Sequence, residues 1–315
     1  MDVLTDVLRQ LRLQNLLYGR MEFTAPWGLR FPNLKGYFPF YIVARGTCVL
    51  EPAGGEAVTL SAGDAVFLPH GGDVTLKDSP KSRVLPVDKV FPPCGEPFGT
   101  GPLRHGGGGT PCVVLGGLFS FDQGAFEPFV RSLPTMIHLK EDAASAGWFE
   151  AVRKQLNAEI ASDWPGSKIV ISRLADLLFI QALRIHLGTC QKAAGGWLTA
   201  LQDPHLGPAI AQMHEAPGQP WTVESLAKAA GLSRSAFAAR FGALVGEGPL
   251  AYLTRWRMEK ADTLLQSRTP IEAVATQLGY ASAPAFSRAF KRLRGAAPGS
   301  VRVGKVREQV AQPTA

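Results

Sequence analysis

The residues of this 315-residue sequence whose types could do chemistry are four cysteines, a run of glycines and a concentration of cations near one end. Cys48, Cys94, Cys112 and Cys190 lie far apart, with no CxxC pair and no histidine at zinc-finger spacing. Their plain reading is free thiols, neither a structural zinc site nor a disulfide framework. Gly106 to Gly109 has the composition of a phosphate loop, but no Lys-Ser/Thr follows it and no helical pattern begins there, so a tight or flexible loop is expected. The cations carry more information. From residue 206 onward there are 14 Lys/Arg and 7 Asp/Glu, which out of 33 and 26 in all leaves 19 of each before that point. The whole net charge of +7 therefore sits in the last third. Cationic side chains gain affinity for phosphates by displacing counterions, so a basic segment beside a neutral one has the charge distribution of a nucleic-acid binder, although a basic solubilising surface would share it.

The elements that must position these residues follow from pattern. Length and a 46% hydrophobic composition predict two globular units. The most apolar segment, Ile169 to Leu187, is interrupted by Arg173, Asp176 and Arg184, and the start MDVLTDVLRQL lacks the order of a signal peptide, so the expected location is the cytoplasm, with no membrane partner. From about Gly36 to Gly117, YIVARGTCVLEP, EAVTLSAGDAVFLPHG and DVTL read as short strands separated by turns such as Gly54-Gly55 and Gly63-Asp64, which predicts a sandwich or barrel. Cys94 to Thr110 reads as a long loop. After Pro134 the pattern turns helical: GWFEAVRKQLNAEIAS is stopped by Trp164-Pro165-Gly166, and a second helix runs from about Ser167 to Leu187. That second helix is apolar round most of its circumference and needs burial on more than one side, against its own chain or a second subunit. Gly195-Gly196 and Asp203-Pro204 mark a boundary.

One internal repeat stands out. LAKAAGLSRSAFAARF (226–241) and VATQLGYASAPAFSRAF (274–290) share Ala227/Ala275, Gly231/Gly279, Phe237/Phe286 and Phe241/Phe290. In each copy a small residue allows a close helix crossing, a glycine suits a left-handed turn, and Leu232 or Tyr280 plugs the core. Ser233 and Ser282 are placed to cap second helices whose Phe pairs, at i and i+4, face inward and leave the opposite face free. Thr269-Pro270-Ile271-Glu272 predicts a capping box. Between the copies PLAYLTRWRMEKADTLLQS reads as a helix of roughly 25–28 Å, a length that could hold two recognition helices about one DNA turn apart.

Two such units, joined by a basic helix and followed by GAAPGSVR, resemble the arabinose-operon regulator family (AraC/XylS type) from about Leu206 to Arg302. The resemblance implies that the helices beginning at Ser233 and Ser282 enter the major groove of double-stranded promoter DNA. It puts Arg234, Ser235, Ala238 and Ala239 at the groove-facing sites of the first, Ala283, Pro284, Ser287 and Arg288 at those of the second, and Lys291 and Arg292 at phosphates. Many members have arginine where this sequence has Ala239; here the arginine is Arg240, rotated ~100° round the helix, so fewer base contacts are expected from the first unit.

The N-terminal half is similar to the cupin-type sensor domain of one branch of that family, through Pro26-Trp27-Gly28, FYIVARGTCVLEP, LSAGDAVFLPHGGDVTL, RHGGGGTPCVVLGGLFSF and LPTMIHL. The resemblances imply a multidomain chain: a cupin-like all-β sensor over 1–134, a helical linker and dimerisation segment over 135–204, an all-α DNA-binding domain over 205–303 and a tail over 304–315. Members of the branch often have His near the positions of Tyr41 and Asp73. With those absent, His70 and His105 fall short of the three or so ligands a zinc or iron site needs, even with Asp73, so no metal and no cofactor are expected. Cys94 in PPCGEP and Cys112 after the glycine run could meet in the barrel as a redox sensor. The expected function is a dimeric, non-enzymatic transcription regulator, an activator acting with RNA polymerase, controlled by a small effector or a redox signal. The alternative is a metal-dependent cupin enzyme with an appended DNA-binding domain, against which the missing His cluster argues.

Overall fold

The computed structural model describes residues 3–11, 14–91, 102–120, 127–140, 146–162, 164–189 and 196–302. The described residues fall into two compact units, Arg12–Gln123 with Val130–Ala193, and Met1–Leu11 with Gly124–Phe129 and Ala194–Ala315. In chain order, α1 (Val3–Leu11) precedes β1 (Gln14–Thr24), β2 (Gly28–Phe31), β3 (Tyr37–Arg45), β4 (Thr47–Pro52), β5 (Val58–Ser61), β6 (Ala65–Phe67), β7 (Val74–Lys77) and β8 (Leu85–Pro86). There follow α2 (Val87–Val90), β9 (Leu103–Gly106), β10 (Pro111–Ser120), α3 (Glu127–Arg131), β11 (Ile137–Leu139), α4 (Ala146–Ala161) and α5 (Ser167–Thr189). The rest is helical: α6 (Trp197–Gln202), α7 (Leu206–Glu215), α8 (Val223–Ala229), α9 (Arg234–Val245), α10 (Pro249–Gln266), α11 (Ile271–Gln277), α12 (Ala283–Arg294) and α13 (Pro298–Arg302). No described helix is long and apolar enough to cross a membrane.

The β-rich unit is two sheets, ordered β11-β6-β3-β10-β1-β9 and β5-β4-β7-β2-β8. Alternation along the strands sends Met21, Phe23, Tyr41, Val43 and Val114 of the first and Leu29, Leu50, Leu60, Val74 and Leu76 of the second into one shared core. β3 is buried on both faces, since Phe40, on the side away from that core, stacks with Phe67 and Phe119, and both of these meet Phe179 of α5. Trp164-Pro165-Gly166 turns the chain between α4 and α5, where Ser167 Oγ donates to Glu159 Oε2 at 2.7 Å. α5 buries Ile171, Ala175, Leu178, Phe179, Ala182 and Leu183, while Ile169, Val170 and Leu177 stay exposed away from that face, as does Ile185 near its C-terminal end.

The glycine run is a clamp. Gly107 N and Gly109 N donate to the carbonyls of Thr24 and Ala25, and Gly108 N to Thr24 Oγ1, so its N–H groups are already spent. A Cβ at Gly106 would sit 1.9 Å from the Thr24 carbonyl oxygen, so only glycine fits there.

In the helical unit, α1 packs on α7 and α10 through Val3 and Val7. A buried polar group ties α6 and α7 to α10: Tyr252 Oη accepts from Trp197 Nε1 at 2.9 Å and lies 2.6 Å from His214 Nε2. The His214 ring stacks on Trp256 at 3.7 Å. Burial pushes the His214 pKa down to about 3, so the imidazole is neutral and its Nε2 can accept from the tyrosine hydroxyl.

Candidate nucleic-acid interface

Both repeats fold as helix-turn-helix units. In the first, Gly231 takes a left-handed φ of 66°, and Ser233 Oγ accepts from Ala236 N at 3.2 Å to start α9. In the second, Gly279 has φ 75°, and Ser282 Oγ accepts from Ala285 N at 3.3 Å to start α12. Ala227 and Ala275 are buried at the crossings, and Phe237, Phe241, Phe286 and Phe290 are fully buried. Both second helices end at a left-handed glycine, Gly246 or Gly295. α11 begins after Pro270, which makes no side-chain cap hydrogen bond. A capping box forms at the first unit, where Thr222 and Ser225 exchange hydrogen bonds at the start of α8.

The faces opposite the phenylalanines are open. Ser233, Arg234, Ser235, Ala239 and Arg240 are exposed and Ala238 half-buried; Ser282, Pro284, Arg288, Lys291 and Arg292 are exposed and Ala283 and Ser287 half-buried. α10 spans 18 residues, about 27 Å at 1.5 Å per residue.

The cations of this unit divide into two sets. Arg240 Nε and Nη2 both reach Asp203 Oδ2, at 2.9 and 2.5 Å, while Asp203 Oδ1 accepts from His205 N and Leu206 N to start α7. Burial alone would raise the Asp203 pKa, but Arg240 and the two backbone N–H groups outweigh it and hold the carboxyl below its ordinary range. Arg255 pairs with Glu247, and Arg294 with Glu259 and Asp262. Arg257 donates to the carbonyls of Pro217 and Gln219, and Lys260 lies over the Trp256 ring. Arg234, Arg288, Lys291 and Arg292, by contrast, make no ion pair with any described residue. Three of these four unpaired cations stand on α12, and two of them lie in its last turn, where the helix dipole favours positive charge.

The candidate residues of the β-rich unit do not converge. His70 Nε2 lies 2.8 Å from the Leu133 carbonyl oxygen, Asp73 Oδ1 accepts from Asn33 N, and the His105 ring meets Phe91 edge-on. Among the described residues no three His, Cys, Asp or Glu side chains are grouped to hold a metal. Cys94 lies outside the described residues. Cys112 is buried, and its thiol is hydrogen-bonded to that of Cys48, a residue the sequence patterns do not single out. The missed signal was the turn Arg45-Gly46, which carries the chain from one sheet into the other.

A paired helix-turn-helix unit with an uncommitted cationic face defines a DNA-binding protein, and comparison with known proteins places it more closely. Residues 2–188 match the cupin family and residues 226–303 a helix-turn-helix domain family. The chain is 34% identical over 304 residues to an AraC-like transcription regulator of Streptomyces lividans, covering 96% of this chain and 98% of the relative. It is 29% identical over 301 residues to the HTH-type transcriptional regulator AlkR of Acinetobacter baylyi, covering 93% and 96%. A solved AraC-type DNA-binding domain structure from Chromobacterium violaceum is similar at 27% identity with a TM-score of 0.31, over 36% of this chain and 99% of that one. The chain belongs to the AraC-like transcription regulators and joins an N-terminal cupin domain to a C-terminal DNA-binding domain.

Proposed function

We propose that this regulator works in the cytoplasm as a homodimer that binds promoter DNA through α9 and α12, answers a small effector in its cupin domain, and activates transcription with RNA polymerase. The observation that carries the DNA reading is the sorting of cations, with Arg288, Lys291 and Arg292 left unpaired on the exposed face of α12 while the arginines around them are tied internally. Ser233, Arg234, Ser235, Ala238 and Ala239 on the first unit, and Ser282, Ala283, Pro284 and Ser287 on the second, complete the proposed surface. Arg240 is assigned to hold the unit together through Asp203. The domain bounds proposed are 1–134, 135–204 and 205–303.

The dimer reading is supported by α5, whose Ile169, Val170 and Leu177 are exposed away from its buried side. The effector reading is supported by the apolar core of the β-rich unit, in which Trp27 Nε1 is buried with no hydrogen-bond partner. This favours an apolar effector with one acceptor atom. Genome-wide mapping of bound sites, followed by titration of the recovered promoter fragments with the purified chain, tests the reading. Specific, salt-dependent binding is expected, and binding no tighter to the recovered fragments than to random DNA would overturn it.

A further inference from the structure

The β-rich unit holds a second chemistry beside the turn that carries the chain from one sheet into the other. β3 ends at Arg45, next to Val113 of β10 in the register of the first sheet; the chain turns at Gly46 and enters β4 of the second. The approach is so close that a Cβ at Gly46 would lie 2.5 Å from the Pro111 carbonyl oxygen and 3.2 Å from Cys112 Cα. Two residues past that glycine, Cys48 of β4 lies in the same core cluster as Cys112 of β10, at 1% and 2% exposure, with the two thiols near enough to interact. β4 and β10 are not neighbours in either sheet, so no strand pairing joins them.

We infer that Cys48 and Cys112 are an oxidation site, a dithiol that small two-electron oxidants of the peroxide class convert reversibly into a disulfide joining the two sheets. The Cys48 thiol donates to Cys112 Sγ, which holds Cys112 below the ordinary thiol range against the opposing effect of burial; the same bond, with burial, pushes Cys48 up. Cys112 is then the attacking thiolate and Cys48 the resolving thiol. In the first step the Cys112 sulfur bonds to one peroxide oxygen and the O–O bond breaks. The hydroxide released takes up the proton lost by Cys112, giving water and a sulfenic acid. In the second step Cys48 sulfur displaces the sulfenic oxygen, which leaves as a second water with the Cys48 proton. Two thiols and one peroxide thus become one disulfide and two waters. Burial adds selectivity by size, since peroxide can reach sulfurs that a bulky disulfide such as oxidised glutathione cannot.

The test uses the full chain carrying Cys94→Ser and Cys190→Ser, so that only this pair remains. After hydrogen peroxide, quenching and denaturation, an alkylating probe should add to neither cysteine and the unlabelled mass should fall by about 2 Da, with both labels restored by dithiothreitol. The thermal midpoint should rise by about 5 °C or more, because the bond closes a long loop. The same treatment of protein also carrying Cys48→Ser should give no disulfide. Two labels retained after peroxide would overturn the inference, as would oxidation by glutathione disulfide at the rate of peroxide. The result is independent of the DNA-binding reading, which is tested by promoter titration.

Discussion

The two helix-turn-helix units are built on matching buried residues and present different exposed ones. Behind each recognition helix lie the same small residue, left-handed glycine, serine cap and phenylalanine pair. In front, α12 offers Arg288, Lys291 and Arg292, whereas α9 offers Ala238 and Ala239, and its Arg240 is turned back to Asp203. The shared interior preserves geometry, and the exterior has been free to divide the labour. In the proposed assignment α12 would read bases and hold phosphates, and α9 would position the unit on the duplex chiefly through Arg234 and Ser235 near its start.

The units also differ in their turns, and the largest expected effect follows from that. A Cβ at Gly279 would lie 2.2 Å from the Gly218 carbonyl oxygen, while one at Gly231 would meet nothing within 4 Å. Both positions have positive φ, so Gly231→Ala should cost about 1 kcal/mol and Gly279→Ala about 3 kcal/mol or more, measured by chemical denaturation. Equal losses would mean that the Gly218 contact yields without cost and that the two turns are equivalent after all.

Next in size is Arg288→Ala, which should weaken promoter binding by about 1–3 kcal/mol, roughly 5- to 150-fold, and relax specificity at one base position. Arg240→Ala should weaken it less. Reversal of that order in a binding titration would transfer the reading role to α9. Lys291→Ala or Arg292→Ala should weaken binding evenly across sequences and reduce the slope of log K against log salt by about 1. An unchanged slope would remove the residue from the interface.

The smallest effect expected is on the stability of Arg240→Ala. Asp203 has a folded pKa below its unfolded one, so its pairing contributes stability above about pH 4, and the contribution is lost as pH falls through the folded value. The stability gap between the native chain and the variant should therefore stay constant from neutral pH down to about 5 and close below about 4. A gap that persists in acid would show that Arg240 acts through its packing and not through its charge pair.

Much of the helical unit was legible because its signals are local. The serine caps, the turn glycines and the i, i+4 phenylalanines are each set by a few consecutive residues and the 3.6-residue period, and the structure forms them where the patterns put them. The same holds for α4 and α5 with the Trp164-Pro165-Gly166 stop between them. One local signal was missed all the same: the capping box of Thr222 and Ser225 at the start of α8.

What the chain's sequence determined by itself, then, is where the helices of its C-terminal unit turn and cap, that a β-rich segment precedes them, though β1, β2 and β9 (the last inside the expected loop Cys94 to Thr110) went unread, and that two matching units carry the surplus of positive charge. Tertiary structure alone decided which of those charges are available. Asp203 lies 37 residues from Arg240, and no period or cap relates them, yet their meeting engages a candidate base-reading arginine in a salt bridge. Cys48 and Cys112, 64 residues apart, likewise share one core cluster beside the place where Gly46 passes close to Pro111 and Cys112. The physical reason is the same in both cases. Local pattern encodes the conformation of a segment, whereas a contact between distant segments depends on how closely their backbones can approach, and that is settled by the packing of everything between them.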